Sequence, residues 1–415
     1  MKKLFISFAA ALLLASCGGN GNNQSASNKT TDNNPAPKQE TKADTATKPA
    51  AIDTVAAQPT TAKSPDIYVA VSNFTNSNNF EETTIYKNDE ILYKECCRGS
   101  VDFLYAIGGH VFYGIYKDYT NRACEIYVDG EFKTQVPEGF HVWKGDKDIF
   151  IDDGNGKIID QNEKTVFEYT PDEEGATSVK AVLQHGGDIY VLMNTGFGTE
   201  ASKLYKNGTE IKNTTGVSEC YGLCYSNGDV YFRGFGYINE QMNAPVICKN
   251  MEPVLSNFKP EGSFWIINGD VYHSEPYDGV SDDGKSYINI FKNGKNPKKV
   301  KGFPESYCLM DANGSDVYYW YVSEGVNASV CTYKNFEEAA EYEFKSNEPE
   351  NGGMQPISVK PKNGQLYVAT VDYSQPNTVT IHKDADVIGT FPAYVFFDEE
   401  SEEDYVEVHF CMDIE

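Results

Sequence analysis

The chain has 415 residues, and its 61 acidic against 35 basic residues give a formal net charge of −26. This charge argues against nucleic acid as a partner, because binding phosphates requires a basic surface. The three arginines, Arg98, Arg122 and Arg233, are too few for a site in which several guanidinium groups hold an anion. The same charge favours a soluble monomer.

The first segment has the features of an export signal. Lys2 and Lys3 precede an apolar run at residues 4–14, which is too short to span a bilayer. The run ends in Leu14-Ala15-Ser16-Cys17, which resembles the lipobox of bacterial lipoproteins. The resemblance implies cleavage after residue 16 and attachment of lipid, palmitate included, to Cys17. The alternative is an ordinary cleaved signal followed by a coincidental cysteine.

The residues after Cys17 carry sorting information. By the same resemblance, glycine at position 18 in place of aspartate favours the outer membrane. No acidic cluster follows Cys17, since the first acidic residue is Asp32, and this favours the periplasmic side over the cell surface. Residues 18–63 are polar and lack aromatic side chains, so we expect a disordered tether. The chain thus divides into a signal peptide (1–16), a lipidated tether (17–63) and a folded domain (64–415).

A short phrase recurs throughout the folded domain. A clear copy is Gly187-Asp188-Ile189-Tyr190, and the central aliphatic residues lie at 67, 111, 149, 189, 230, 271, 317 and 366. A second phrase, typified by Tyr205-Lys206-Asn207-Gly208, follows roughly twenty residues after the first. Asn-Gly and Asp-Gly pairs favour tight type I′ hairpin turns. Each unit therefore predicts four short strands.

The fourth unit illustrates this prediction, with strands expected at residues 179–184, 188–194, 202–206 and 209–213. Four-stranded units that repeat every 38 to 49 residues resemble the blades of a β-propeller. The signatures of WD and kelch repeats are absent, so the resemblance names an architecture and no functional family. We predict an all-β fold, a single closed β-propeller of eight four-stranded antiparallel blades. Seven blades are the alternative, because the third unit is degenerate.

The two ends of the domain predict how the ring closes. The first unit lacks a first strand before Asp66, because the expected tether precedes it. The C-terminal region carries spare β-prone segments at residues 393–397 and 405–412. We expect one of these segments to pair within the first blade, because an open ring would expose unpaired sheet edges.

The loops of the predicted blades differ in length. With the strands of each blade lettered A to D, the A–B and C–D turns are short and uniform, whereas the B–C loops are long and dissimilar. Variable loops on a uniform scaffold are where function concentrates. We expect ligand binding on this B–C face through six loop aromatics: Tyr119, Phe197, Phe235, Tyr237, Tyr277 and Tyr373. The alternative is that these rings pack the loops against the rim.

Few motifs in the chain point to catalysis or metal binding. The sequence has no Gly-x-Ser-x-Gly elbow, no phosphate-binding loop and no histidines at zinc-ligand spacing. His273 is the best single candidate for chemistry, and His382 replaces a repeat tyrosine, which predicts packing. We expect no catalytic residue, metal site or cofactor; calcium at residues 152–156 or 398–404 is the alternative. Beyond Cys17 nine of the ten cysteines remain, so at least one is unpaired within the chain.

Together these features predict a cell-envelope lipoprotein that binds a protein or a glycan through its B–C face and catalyses no reaction. An envelope hydrolase acting on glycans or peptides at the channel mouth is the alternative, and a purely structural role is the third possibility. The expected partners are a membrane, through Cys17, and the protein or glycan ligand, with no nucleic acid.

Overall fold

The computed structural model describes the folded domain as an all-β structure. The described residues are 65–415, except 77–78, 96–99, 117–122, 138–140, 172–176, 197–200, 212–215, 239–240, 257, 260–261, 278–284, 303–306, 324–327, 347–352, 373–377, 393–395 and 398–405. These residues form 34 strands.

The strands range from two to ten residues in length. The first part of the domain contains β1 (Ile67–Asn76), β2 (Asn79–Lys87), β3 (Glu90–Glu95), β4 (Ser100–Ile107), β5 (His110–Tyr116), β6 (Cys124–Val128), β7 (Glu131–Val136), β8 (Val142–Lys144), β9 (Ile149–Asp152), β10 (Lys157–Asp160), β11 (Thr165–Glu168), β12 (Thr177–His185), β13 (Asp188–Thr195), β14 (Ser202–Lys206), β15 (Thr209–Ile211), β16 (Val217–Ser226) and β17 (Asp229–Ile238). The second part contains β18 (Gln241–Lys249), β19 (Glu252–Ser256), β20 (Phe264–Ile267), β21 (Asp270–Pro276), β22 (Tyr287–Lys292), β23 (Lys295–Lys301), β24 (Tyr307–Asn313), β25 (Asp316–Ser323), β26 (Ala328–Lys334), β27 (Glu337–Phe344), β28 (Met354–Lys362), β29 (Gln365–Asp372), β30 (Thr378–Lys383), β31 (Asp386–Pro392), β32 (Phe396–Phe397), β33 (Val406–Glu407) and β34 (Phe410–Ile414).

Eight of the sheets have four antiparallel strands, and these are the blades. Blade 1 has the order β3-β2-β1-β34, and blades 2 to 8 each take four consecutive strands, from β4–β7 to β28–β31. The third unit forms a complete blade, although its strands β8 to β11 are only three or four residues long. The prediction of eight blades is therefore confirmed over the seven-blade alternative. In the fourth unit, β12 to β15 match the four predicted strands to within two residues at each end.

The blades form a ring around their first strands. The innermost strands of neighbouring blades lie side by side, as β12 does beside β16 and β28 beside β34, which is the innermost strand of blade 1. Between consecutive blades, including blades 8 and 1, the described residues form eight hydrophobic clusters. The repeat tyrosines Tyr68, Tyr190, Tyr231, Tyr272 and Tyr367 all belong to these clusters. Burial of such aromatic surface between sheets is the main force that holds the blades together.

The C-terminal strand closes the ring, as predicted. β34 pairs antiparallel with β1, with Ile67 opposite Ile414 and Val71 opposite Phe410. Its Asp413 accepts a hydrogen bond from Ala106 N of blade 2 at 2.7 Å and forms an ion pair with Lys144 Nζ of blade 3 at 2.5 Å. One strand therefore joins three blades. The other candidate segment contributes β32, which pairs with β33 in a separate two-stranded sheet.

The recurring sequence phrases meet at the turn end of each blade, and blade 6 shows how. Asn293 begins the C–D turn with a φ of 50°, and its side-chain Oδ1 accepts a hydrogen bond from Val271 N at 2.8 Å. Its Nδ2 donates to Asp270 Oδ1 at 2.8 Å. Lys292 pairs with Asp270 Oδ2 at 2.6 Å, and its ammonium lies 5.7 Å from the centroid of Tyr272. We call this arrangement of aspartate, lysine, asparagine and tyrosine the turn clasp.

The turn clasp recurs in four further blades with the same contacts. Its aspartate, lysine and asparagine are Asp66, Lys87 and Asn88 in blade 1, Asp188, Lys206 and Asn207 in blade 4, Asp229, Lys249 and Asn250 in blade 5, and Asp316, Lys334 and Asn335 in blade 7. Hydrogen bonds from the lysine, and then from the asparagine, lower the pKa of Asp188 and of Asp316. The residues of the recurring sequence phrases therefore have a structural role: they hold the two turns of each blade together.

Two blades use variants of the turn clasp. In blade 2 the charges are exchanged, because Asp129 replaces the asparagine and pairs with His110 Nδ1 at 2.6 Å. Asp129 still accepts a hydrogen bond from Val111 N at 2.8 Å, and its carboxylate raises the pKa of His110. In blade 8 the residue in this position is Asp384, which accepts from Leu366 N at 3.2 Å.

Replacement of the clasp asparagine tests this arrangement. Asn293→Ala removes both side-chain hydrogen bonds. It also forces alanine to adopt a φ of 50°, and alanine has no side-chain hydrogen bonds to stabilise that conformation. We expect a loss of about 3 kcal/mol in the free energy of unfolding, measured by urea denaturation. Asn293→Gly is the matched control, because glycine accepts this φ and loses only the hydrogen bonds, and we expect about 1–2 kcal/mol. Equal losses in the two variants would show that the left-handed turn is not under strain.

Candidate functional site

The B–C end of the ring lies opposite the turn clasps, and three of the six predicted ligand-binding residues are described there. Of these, Phe235 and Tyr277 are described with their side chains. Tyr237 is described in its main chain only, as part of β17. The remaining three, Tyr119, Phe197 and Tyr373, lie outside the described residues.

Tyr277 belongs to a cluster of two aromatic rings and one cation at the B–C end of blade 6. Its amide donates to Tyr287 O at 3.2 Å, and the two rings lie 6.4 Å apart in an edge-to-face arrangement. Lys299 Nζ of β23 lies 4.1 Å from the ring centroid of Tyr277 and 4.0 Å from that of Tyr287. Two cation–π contacts therefore hold an exposed ammonium in place. We call Tyr277, Tyr287 and Lys299 the blade 6 cluster.

Phe235 belongs to a second aromatic pair, in blade 5. Its half-buried ring lies 6.2 Å from that of Tyr221 in an edge-to-face arrangement. Tyr221 comes from the first strand of the blade, is 39% exposed, and donates its hydroxyl to Glu219 Oε2 at 2.6 Å. Burial, and then the Glu219 carboxylate, raise the pKa of Tyr221 to about 12, so this phenol is a hydrogen-bond donor at neutral pH. We call Tyr221 and Phe235 the blade 5 pair.

The two histidines singled out by the sequence are packing residues. His273 is 3% exposed, and its ring stacks on Phe291 at 4.9 Å and lies 5.3 Å from Phe258. Burial lowers its pKa, which keeps it neutral in the interior. Its Nε2 also lies 3.6 Å from Glu275 Oε1, so the ring is held by two aromatic neighbours and one carboxylate. His382 is also buried, contacts Thr370 Oγ1 at 3.1 Å, and has its pKa lowered to about 4 by burial.

Several first strands carry a β-bulge that turns a side chain away from the interface between blades. The register of β4 with β5 skips Asp102, that of β12 with β13 skips Lys180, and that of β28 with β29 skips Ile357. Bulges redirect the side chain of the extra residue. Asp102 and Lys180 are exposed although both faces of their blades are covered, so they project into the central channel. The two bulges thus place charged side chains in the channel, although the first strands that form its wall are mostly apolar.

Asp102 belongs to a cluster of three titratable side chains on the channel wall, with Cys411 and Asp413. Cys411 Sγ of β34 donates to the Asp102 main-chain oxygen at 3.5 Å, and Asp413 lies two residues further on the same side of that strand. Loss of hydration on the channel wall raises the pKa of the Asp102 carboxyl to about 6. Burial, and then the Asp102 charge, raise the pKa of the Cys411 thiol to about 12, so it is protonated and a poor nucleophile.

This channel group was not predicted from the sequence. An isolated aspartate within the apolar run Val101-Asp102-Phe103-Leu104 was the available signal, because a charge on an interior strand is unusual. Without the bulge, however, strand alternation alone does not place its side chain in a channel.

The acidic stretch at residues 152–156 uses its carboxylates to form a turn. Asp152 accepts from Tyr169 Oη at 2.9 Å and from Gly154 N at 3.0 Å, and Asp153 accepts from Asn155 N at 2.8 Å. Across the part of the chain that the structure describes, no three His, Cys, Asp or Glu side chains are grouped to hold a metal. The second stretch, residues 398–404, lies outside the described residues.

The seven cysteines that the structure describes form no disulfide with one another, and four of them are buried as small apolar side chains. Among the described residues, no helix has the length and apolar character needed to span a membrane.

Comparison with known proteins gives fold-level similarities only. No protein-family model matches the chain, and no curated protein matches it. Among solved structures, it is similar to apo AztD from Citrobacter koseri, at 9% identity over 85% of this chain and 99% of that one, with a TM-score of 0.47. It is also similar to the computationally designed Ika8 protein (9% identity, 76% and 96% covered, TM-score 0.45). A putative 6-phosphogluconolactonase from Bacteroides fragilis gives 12% identity, 86% and 100% covered, and a TM-score of 0.35. None of these similarities assigns a ligand or an activity to this chain.

Substitution of Asp102 tests the channel environment through the pH dependence of stability. The folded-state pKa of about 6 lies above the ordinary value, so the native state keeps a proton that the unfolded chain releases. The wild type should therefore lose stability as the pH rises from 4 to 6, relative to Asp102→Asn. At pH 7.5 we expect the variant to be about 1 kcal/mol more stable by thermal unfolding, a figure reduced for solvent screening of an exposed group. A difference that stays constant from pH 4 to 7.5 would contradict a raised pKa.

Proposed function

We propose that this chain is a lipid-anchored β-propeller of the cell envelope that binds a glycan or a protein through its B–C face and catalyses no reaction. The anchor is Cys17 of the lipobox-like motif, on the periplasmic side of the outer membrane. The tether at residues 17–63 holds the propeller at a distance from the lipid.

The single observation that carries the binding role is the pairing of predicted loop aromatics with further side chains at the same end of the ring. Tyr277 is grouped with Tyr287 and Lys299, and Phe235 with Tyr221. Rings and an ammonium held in this way present apolar faces beside a cation, a combination that suits recognition of a polar ligand.

Of the two ligand classes, the described residues favour a glycan. A stable protein interface covers about 800 Å² on each partner with a contiguous buried centre. The blade 6 cluster and the blade 5 pair are instead small, separate groups of amphipathic rings. Such groups match the short polar and apolar faces of individual sugar units.

The hydrolase alternative is supported by one observation, the raised pKa of Asp102 in the channel. A carboxyl with a pKa of about 6 has the protonation behaviour of a general acid. The described groups beside it do not complete a catalytic set, because the Cys411 thiol is protonated and Asp413 is engaged by Lys144 and Ala106. Binding without catalysis is therefore the better-supported function.

Affinity electrophoresis tests glycan binding on the B–C face. The purified chain is run in gels that contain dextran, mannan, xylan or polygalacturonate. We expect retardation by at least one polysaccharide, and about tenfold weaker retardation for the double variant Phe235→Ala with Tyr277→Ala, which removes one ring from each group. Phe132→Ala is the control, because this ring is 54% exposed and lies beside the C–D turn of blade 2, at the opposite end. Retardation that is the same in both variants, or absent with all four polysaccharides, would contradict a glycan site on this face.

The lipid anchor has its own test. Cys17→Ala removes the acceptor thiol, and membrane fractionation of cells should then find the protein in soluble fractions. Cys411→Ala is the matched control, because that cysteine lies in the folded domain. Undiminished membrane retention of Cys17→Ala would refute lipidation at this residue.

A further inference from the structure

The outer strand of blade 6 carries a local positive charge on a chain with a net charge of −26. β23 contributes Lys295, Lys298 and Lys299, all of them exposed. Within the part of the chain that is described, none of these three ammonium groups forms an ion pair. The clasp lysines, in contrast, each pair with an aspartate at 3.0 Å or less. The charge of β23 is therefore available to an external anion.

Lys299 is held in place by aromatic rings and not by a carboxylate. Its Nζ lies about equally far from the ring centroids of Tyr277 and Tyr287, at 4.1 and 4.0 Å. Cation–π contacts leave the charge of the ammonium uncompensated, whereas an ion pair would neutralise it. The cluster thus positions a cation whose N–H groups remain open to an anionic ligand.

The backbone of β23 is unsuited to pairing with a peptide strand. Asn296 has a φ of 50°, Pro297 has no amide hydrogen, and the register with β22 skips a residue between Ile290 and Lys292. A peptide that adds to a sheet edge relies on a regular ladder of main-chain hydrogen bonds. This edge therefore favours a ligand that is recognised by side chains alone.

We propose that the outer strand of blade 6 binds an acidic polysaccharide. Lys299 contacts an anionic group, Tyr277 and Tyr287 contact the sugar ring beside it, and Lys295 and Lys298 add positive charge along the same strand. The inference rests on the proposed glycan-binding function and assigns the charge class of the ligand.

A polymer fits this surface better than a small anion. Lys295 lies at the C–D turn and Lys299 lies towards the other end of β23, so the positive charge is spread along the strand. A single exposed ion pair contributes only about 0–1 kcal/mol and is weakened by salt. Appreciable affinity requires a ligand that places several anionic groups along this strand, as a chain of uronate units does.

Charge reversal on β23 tests the proposal with polygalacturonate as the probe and dextran as the uncharged reference. The purified full chain should be retarded by polygalacturonate and not by dextran, and 0.5 M NaCl should abolish the retardation. The triple variant Lys295→Glu, Lys298→Glu, Lys299→Glu should bind at least about tenfold more weakly. The matched control is Lys157→Glu, Lys164→Glu, Lys345→Glu, which has the same net charge and alters three other exposed lysines. We expect this control to bind like the wild type.

Three results would overturn the inference. Equal weakening in both triple variants would show that overall charge, and not β23, governs binding. Equal retardation by poly-glutamate would remove the assignment to a polysaccharide, because that polyanion has no sugar rings. Retardation by a neutral polysaccharide that depends on Phe235 but not on the β23 lysines would overturn the charge class and leave the proposed function intact.

Discussion

Five of the eight blades depend on an aspartate at the start of the second strand, which accepts hydrogen bonds from an asparagine and a lysine at the end of the third. In blade 5, Asp229, Asn250 and Lys249 make these contacts at 2.6 to 2.7 Å. The asparagine also receives the amide of Val230, so the A–B and C–D turns are fastened side by side. Blade 2 shows that the arrangement does not require these particular residues, because His110 and Asp129 exchange the signs of the charged pair.

Fastening one end of a blade has a consequence for function. In the five blades with a complete turn clasp the turn end is held to one geometry, so these blades differ mainly at the B–C end and in the first strands around the channel. The blade 6 cluster lies at the B–C end. Asp102, on its bulge beside Cys411 of the closing strand, lies on the first strands. Because Asp413 of that strand bridges to blades 2 and 3, closure of the ring also shapes the channel wall.

The architecture could be predicted because its determinants are local. Tight turns and alternating apolar residues recur in the sequence, and they were sufficient for the four-stranded blades, the ring closure and the inter-blade tyrosines. Side-chain partners across strands could not be predicted in the same way. Tyr277 was expected on the correct face, but Lys299 joins it from a strand 22 residues later, which depends on the length of the B–C loop. The orientation of Asp102 depends on a bulge that alternation does not predict.

Amide hydrogen exchange measures the central claim directly, because each clasp asparagine or aspartate accepts a main-chain amide that has no strand partner of its own. The amides of Ile189, Val230, Val271 and Val317 donate to these side chains at 2.8 to 3.0 Å. We predict that these four amides exchange as slowly as those in the centres of their strands, at rates set by unfolding of the whole ring. Exchange at the rate of unstructured peptide amides would contradict the role assigned to the turn clasp.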